Sequence, residues 1–246
     1  MRVIILAAGQ GTRLRPLTND RPKCMVELNG KPLIKHQLDL FEKFDIKDIN
    51  VITGYLREKI DFQCVKKYFN PKFDSTNMVS TLFCVSELFD GSDDILISYG
   101  DIVYNDKVLQ SIANANNEIN VVVDKNWKEY WSARMDDPLR DAETLKIDEK
   151  GYIKELGKKP KSYDEIEGQY IGLVKIRKDI APKIKEYYEQ LDKSAMYDGK
   201  DYENMYMTSF LQMIADNLYP LSPVYIQNGW VEIDEPSDLE YSKFLG

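Results

Sequence analysis

Gly9-Gln10-Gly11-Thr12-Arg13-Leu14-Arg15, followed shortly by Arg21-Pro22-Lys23, concentrates the residues best suited to hold a phosphate. Glycines at positions 9 and 11 let the backbone turn tightly and approach a ligand, so that successive N–H groups converge on phosphate oxygens. Arg13, Arg15 and Lys23 add positive charge to the same turn. A dinucleotide-binding turn needs a third glycine where Leu14 stands, and a P-loop needs Gly-Lys-Ser/Thr, so neither reading applies. Two distant stretches supply carboxylates. Asp94-Ile95-Leu96-Ile97-Ser98-Tyr99-Gly100-Asp101 sets Asp101 just beyond an apolar strand, beside a glycine, at the sheet edge where ligands of open α/β proteins sit. In Gly229-Trp230-Val231-Glu232-Ile233-Asp234-Glu235-Pro236 a period of two puts Glu232 and Asp234 on one side and Val231 and Ile233 on the other. A helix cap explains the first equally well, and a solvated edge strand the second. Together with the glycine turn they suit Mg²⁺, which takes oxygen ligands from one or two carboxylates plus substrate phosphates; Asp101 and Asp234 are the candidate ligands. Such an ion, with backbone amides, Arg13 and Lys23, neutralises charge on a transferring phosphoryl group. No serine or cysteine is paired with a histidine as a nucleophile. His36, the only histidine, reads as a surface or capping residue.

These residues need a scaffold, and the hydrophobic pattern predicts one. Val3-Ile4-Ile5-Leu6 reads as a buried strand, Lys31 to Phe44 as a helix with Leu33, Ile34, Leu38, Phe41 and Phe44 on one face, and Ile49 to Gly54 as a second strand. This β-α-β alternation predicts an α/β fold with a parallel sheet. A short helix near Arg57–Phe62, a strand within Cys64–Phe69 and a helix opening at Asn77 follow, with Thr76 or Asn77 as its cap. A helix is expected from Asp106 to Ala115 and a strand from Ile119 to Asp124. Short strands near Glu143–Asp148 and Tyr152–Leu156, around the turn Glu149-Lys150-Gly151, predict an antiparallel excursion spanning about residues 125–168 of a single domain. Gln169–Ile176 returns as a strand, and helices are expected at Asp179–Leu191 and Tyr202–Leu218.

Lys125 to Pro138 shows no sustained period and reads as irregular. Its Trp127, Tyr130 and Trp131 either pack the segment onto the body or grip an organic cation through their π faces.

The 246 residues are 43% hydrophobic and 30% charged, ordinary for a globular protein, and the net charge of −8 opposes general affinity for nucleic acid or anionic membrane. Any phosphate site is therefore local. With no apolar run long enough to span a membrane and no signal-peptide pattern, a cytoplasmic location is expected. Cys24, Cys64 and Cys84 lack metal-ligand spacing and read as reduced thiols; Lys23 beside Cys24 is expected to lower that thiol's pKa.

Leu6-Ala7-Ala8-Gly9-Gln10-Gly11-Thr12-Arg13-Leu14 with Pro16-Leu17-Thr18 and Arg21-Pro22-Lys23 resembles the signature of nucleotidyltransferases that make nucleoside-diphosphate sugars and related compounds. Tyr99-Gly100-Asp101-Ile102-Val103, Trp127, Tyr130-Trp131, Arg134, Gln169-Tyr170-Ile171-Gly172-Leu173 and Gly229 to Asp234 are similar to the bacterial phosphocholine cytidylyltransferase branch. Within it the chain looks closest to the CTP:phosphoglutamine cytidylyltransferases of capsular phosphoramidate synthesis. The resemblance implies a Rossmann-like α/β fold with a mixed, mainly parallel sheet flanked by helices, CTP over the first turn, and attack of a small phosphorylated acceptor on the α-phosphorus, releasing pyrophosphate. It implies that Leu6, Ala7, Ala8, Gly9, Gly11 and Thr12 hold the nucleotide with Asn77, Ser80 and Gly100, that Arg13 meets the leaving phosphates and Lys23 the α-phosphate, and that Asp101 and Asp234 hold Mg²⁺. Glu232 is expected to assist the metal or the acceptor. For the acceptor, Trp127, Tyr130, Trp131 and Trp230 would cage a choline head, with Tyr170 nearby. Arg134 and Arg140 would instead clamp the carboxylate of glutamine phosphate. A sugar-1-phosphate nucleotidyltransferase using UTP or dTTP, and a nucleotide-binding regulatory module without turnover, remain alternatives. A homo-oligomer is compatible with the sequence.

Overall fold

A computed structural model describes residues 1–246. Its strands are β1 (Arg2–Ala7), β2 (Glu27–Leu28), β3 (Lys31–Pro32), β4 (Asp48–Thr53), β5 (Lys66–Phe69), β6 (Ile95–Tyr99), β7 (Ile102–Tyr104), β8 (Ile119–Asp124), β9 (Leu145–Ile147), β10 (Ile153–Leu156), β11 (Gln169–Ile176), β12 (Leu221–Ile226) and β13 (Trp230–Glu232). The helices are α1 (Leu33–Lys43), α2 (Met78–Leu82), α3 (Asp106–Asn114), α4 (Trp127–Arg134), α5 (Ala181–Gln190) and α6 (Met207–Asn217), with short 3₁₀ turns between.

Nine strands form one sheet in the order β5-β4-β1-β6-β11-β8-β12-β10-β9. β1 pairs in parallel with β4 on one side and β6 on the other, so the chain switches direction across β1, and a crevice opens beyond the carboxyl ends of β1 and β6. β11 runs antiparallel between β6 and β8, making the sheet mixed. Both faces are buried, which is why the central strands are continuous Val/Ile/Leu runs. Alternate residues of β1 enter opposite cores: Val3, Ile5 and Ala7 pack with α1, α3 and α4, while Ile4 packs with α2, α5 and α6.

Four sequence expectations need correction. Trp127–Arg134 is helical, not irregular. Trp127, Tyr130, Trp131 and Arg134 recur at the spacing of one helical face, but the run is barely two turns long and includes an arginine on its buried side, which hides the period. The helix expected at Tyr202–Leu218 begins only at Met207, after a 3₁₀ turn at Tyr202–Asn204. Only a 3₁₀ turn, Arg57–Lys59, stands where a short helix was expected. β12 was not anticipated, because Pro223 argues against a central strand. The structure tolerates it because β10 pairs with β12 only at Leu221, leaving Pro223 on an open flank. No helix is long and apolar enough to cross a membrane.

Candidate active site

β1 ends at Ala7, and the chain turns through Ala8 and Gly9 to Gly11, whose φ of 64° is left-handed and suits glycine. A side chain on Gly11 would also press on the Lys23 stem, with Lys23 Cβ 3.0 Å from the added carbon. The turn and Lys23 are therefore packed as one unit. Leu14, fully buried, anchors the following 3₁₀ turn and leaves Arg13 outside.

Gly100 follows β6 and donates its N–H to the Leu6 carbonyl at 2.9 Å. An added Cβ would sit 2.7 Å from that oxygen, so only glycine lets β6 run close enough to deliver Asp101 to the turn. The second carboxylate stretch arrives through a small antiparallel pair, β13 with β7, in which Glu232 faces Ile102. The Asp101 carbonyl accepts from the Ile233 N–H at 3.1 Å, fixing this register beside the turn.

As a result one oxygen from each of Asp101, Glu232 and Asp234 lies within 4.8 Å of the others. Lys23 Nζ donates to Asp101 Oδ2 at 2.6 Å and also to Asp234 Oδ1. Arg13 Nη2 lies 2.8 Å from the other Asp234 oxygen. Burial works against the Lys23 charge, but Asp101, Asp234 and Glu232 outweigh it and hold the pKa above the ordinary lysine value. Burial raises the Glu232 pKa, and the charges of Asp234 and Asp101 add to the rise. Asp234 is also opposed by burial, yet Lys23 and Arg13 bring its pKa below the usual range. Asp101 Oδ1 is buried without a hydrogen-bond partner. An orphaned carboxylate oxygen among hard oxygen donors fits a small divalent cation such as Mg²⁺.

A cavity opens from the turn between α2 and the end of β6. Its walls include Leu6, Ala7, Ala8, Gly9, Asn77 and Gly100, with Lys23 and Asp101 at one end. Gly11, Thr12 and Ser80 are not on these walls. Gly11 packs against Lys23, Thr12 is exposed, and Ser80 Oγ donates to the Glu203 carbonyl at 2.8 Å. Asn77 caps α2, its Oδ1 accepting from the Met78 N–H at 2.8 Å. Tyr99 and Met78, which sequence reasoning missed, line this cavity and a second one holding Trp131, Tyr170, Trp230, Glu232 and Asp234. The signal for Tyr99 was its place one residue before Gly100.

The acceptor residues divide. Tyr170, Trp131, Trp230 and Glu232 reach the second cavity, and Arg140 lies on a neighbouring groove with Arg13. Trp127 and Tyr130 do not: both are buried, and the rings of Tyr130, Trp131 and Trp230 pack edge to face or tilted at centroid distances of 5.4–5.8 Å. The expected four-ring cage is thus largely core. Tyr130 instead holds the backbone of Glu232, its hydroxyl donating to the Glu232 carbonyl at 3.1 Å and accepting from its N–H at 3.0 Å. Arg134 is no free clamp either. Its Nε and Nη2 make a bidentate pair with Asp238 at 2.9 and 3.0 Å, and Nη1 reaches Glu232 Oε2 at 3.5 Å. Asp238 Oδ2 in turn accepts from the N–H groups of Asp234 and Glu235, each at 2.8 Å. One face of α4 therefore braces the carboxylate strand. Cys24 is likewise corrected: burial pushes its thiol up to about 12, the reverse of activation. His36 Nε2 lies 3.0 Å from the Leu28 carbonyl.

The nucleotidyl transferase family profile matches residues 2–212, from β1 through most of α6. The chain belongs to the nucleotidyl transferase family. It is 45% identical over 98% of both chains to a protein of Campylobacter jejuni named CTP:phosphoglutamine cytidylyltransferase. A choline-phosphate cytidylyltransferase of Streptococcus pneumoniae is 44% identical over 91 residues, 35% of this chain and 40% of that one. Among solved structures, the inositol-1-phosphate CTP transferase from T. maritima superposes with a TM-score of 0.76 at 22% identity, covering 99% of this chain and 93% of that one. The S. pneumoniae CTP:phosphocholine cytidylyltransferase superposes with a TM-score of 0.70 at 22% identity, covering 100% and 99%. Both share the fold of a mixed sheet flanked by helices.

Proposed function

We propose that this nucleotidyltransferase is a cytoplasmic, Mg²⁺-dependent cytidylyltransferase that transfers CMP from CTP to L-glutamine phosphate. The observation that carries the reading is the end-to-end similarity to the C. jejuni protein, in a chain whose fold brings Lys23, Asp101 and Asp234 together. CTP occupies the cavity over Ala8 and Gly9. An oxygen of the acceptor phosphoryl group, approaching from the second cavity, attacks the α-phosphorus. A new P–O bond forms, the bond to the β-phosphate bridging oxygen breaks, and pyrophosphate leaves with that electron pair. Lys23, fixed in its charged form, meets the α-phosphate, and Arg13 receives the departing phosphates. Asp101 and Asp234 would hold Mg²⁺, which when bound supplies further neutralisation of phosphate charge. Arg140, which makes no ion pair within the chain, is available to the acceptor's carboxylate.

Pyrophosphate release, measured with CTP, UTP, dTTP and ATP against glutamine phosphate, phosphocholine and sugar-1-phosphates in Mg²⁺, tests this. Turnover is expected with CTP and glutamine phosphate. Turnover with UTP and a sugar phosphate, but none with CTP, would overturn it. Nucleotide binding with no turnover across the panel would support the regulatory-module alternative.

A further inference from the structure

Glu143 enters the second cavity from the excursion, and its carboxylate makes no hydrogen bond or ion pair within the protein. Its backbone, by contrast, is clamped. Gln169 Oε1 accepts from the Glu143 N–H at 3.1 Å, and Gln169 Nε2 donates to the Glu143 carbonyl at 2.6 Å. Gln169 is buried at the start of β11, so the central sheet itself sets where this carboxylate stands. Burial, reinforced by the charge of Asp141, lifts the Glu143 pKa to about 7. Lys159 opposes the rise from a distance, without pairing with the carboxylate. Asp141 is engaged by Trp131 Nε1 at 3.2 Å, and Lys159, the cation that acts on Glu143, is tied to the Leu139 and Arg140 carbonyls, each at 2.6 Å. On the same cavity wall the Tyr170 hydroxyl is buried without a partner. A half-buried carboxylate with no partner and a buried phenol on one cavity wall are favourable beside a cation that carries N–H donors.

We propose that Glu143, with the Tyr170 hydroxyl, binds the ammonium group of the acceptor, and that this site selects a primary ammonium over a quaternary one. The proposal rests on the acceptor reading above and deepens it. A primary ammonium offers three N–H donors to such oxygens, whereas a quaternary ammonium offers none and would rest on the rings of the same cavity, Tyr99, Trp131, Tyr170 and Trp230.

The test compares glutamine phosphate with its counterpart lacking the α-ammonium, in wild-type protein and Glu143→Gln, with CTP affinity measured by calorimetry as a second readout. In Glu143→Gln, KM for glutamine phosphate is expected to rise about tenfold or more, with kcat changed less than about threefold. KM for the des-amino acceptor and the affinity for CTP should stay as in wild type. An equal rise in KM for both acceptors, or no rise for glutamine phosphate, overturns the proposal. Wild-type turnover of neither acceptor overturns the acceptor reading instead. The comparison then uses phosphoethanolamine and phosphocholine, with the primary ammonium favoured in wild type and that preference lost in Glu143→Gln; equal turnover of the two, a preference for phosphocholine, or a preference that Glu143→Gln leaves undiminished would sink the inference.

Discussion

Lys23 carries two carboxylates, and its own charge depends on them. Half-buried, it would lose basicity without Asp101 and Asp234; with them its pKa is raised. A raised pKa keeps the ammonium protonated as pH increases, so no alkaline loss of activity from Lys23 is expected below about pH 10 in a kcat/KM profile. An alkaline limb assigned to Lys23 near neutrality would contradict this placement. Replacing either acid with its amide, Asp101→Asn or Asp234→Asn, is expected to lower kcat by about 10²–10³ while the circular dichroism spectrum stays native. The two variants differ at Arg13, whose partner is Asp234 alone.

At the scale of elements, α4 and β13 act as one part. Tyr130 holds both backbone groups of Glu232, and Arg134 reaches Asp234 through Asp238. The Arg134 and Asp238 side chains are only 3% and 5% exposed, so Asp238→Asn removes the bidentate countercharge and leaves the buried guanidinium only its 3.5 Å contact with Glu232. The cost should be about 3 kcal/mol in urea unfolding, together with a fall in kcat/KM that remains when the assay is run well below the variant's melting temperature. Tyr130→Phe should cost less, about 1–2 kcal/mol, because it removes hydrogen bonds without stranding a charge. A stability loss with wild-type kcat/KM would show that the brace supports the fold alone. The carboxylate strand was legible in the sequence because a period of two makes Glu232 and Asp234 share a side. Its support was not, because an aromatic helix with an arginine on its buried face looks polar and irregular. The parallel strands were legible as apolar runs, and β12 was masked by Pro223, whose tolerance depends on a neighbour, β10, that pairs with β12 at one residue only.

Across the whole molecule, the parallel strands converge at their amino ends on an ionic cluster far from the chemistry. Asp48 accepts from Arg2 Nε at 2.9 Å and pairs with Lys66 at 2.9 Å. Burial opposes the Asp48 charge, but these partners hold its pKa down at about 2. An acid whose folded pKa lies below its unfolded value stabilises the fold above the unfolded pKa, about 4, and loses that contribution as pH falls toward the folded one. After discounting for solvent screening, Asp48→Asn is expected to cost about 1 kcal/mol at neutral pH and to flatten the acid limb of stability between about pH 4 and 2. Urea titrations of both proteins at several pH values check this; parallel stability curves would remove Asp48 from the acid response. The parallel pairing of the first strands followed from the β-α-β alternation, whereas the strand order and the antiparallel insertion of β11 depend on pairings between distant segments, which local periodicity does not encode.

The contact between Lys23 and Asp234 joins residues 211 positions apart. On the ribosome, at about 5–20 residues per second, the first emerges some 10–40 s before the second. A nascent chain that has completed the glycine turn, β6 and α2 possesses the walls of the nucleotide cavity but lacks β13. The strand that closes the carboxylate cluster is thus added after the cavity's own residues have all been made. The capacity to transfer is thereby reserved for polypeptides synthesised past Asp234, and the last part of the sequence to be made is the part that arms the first.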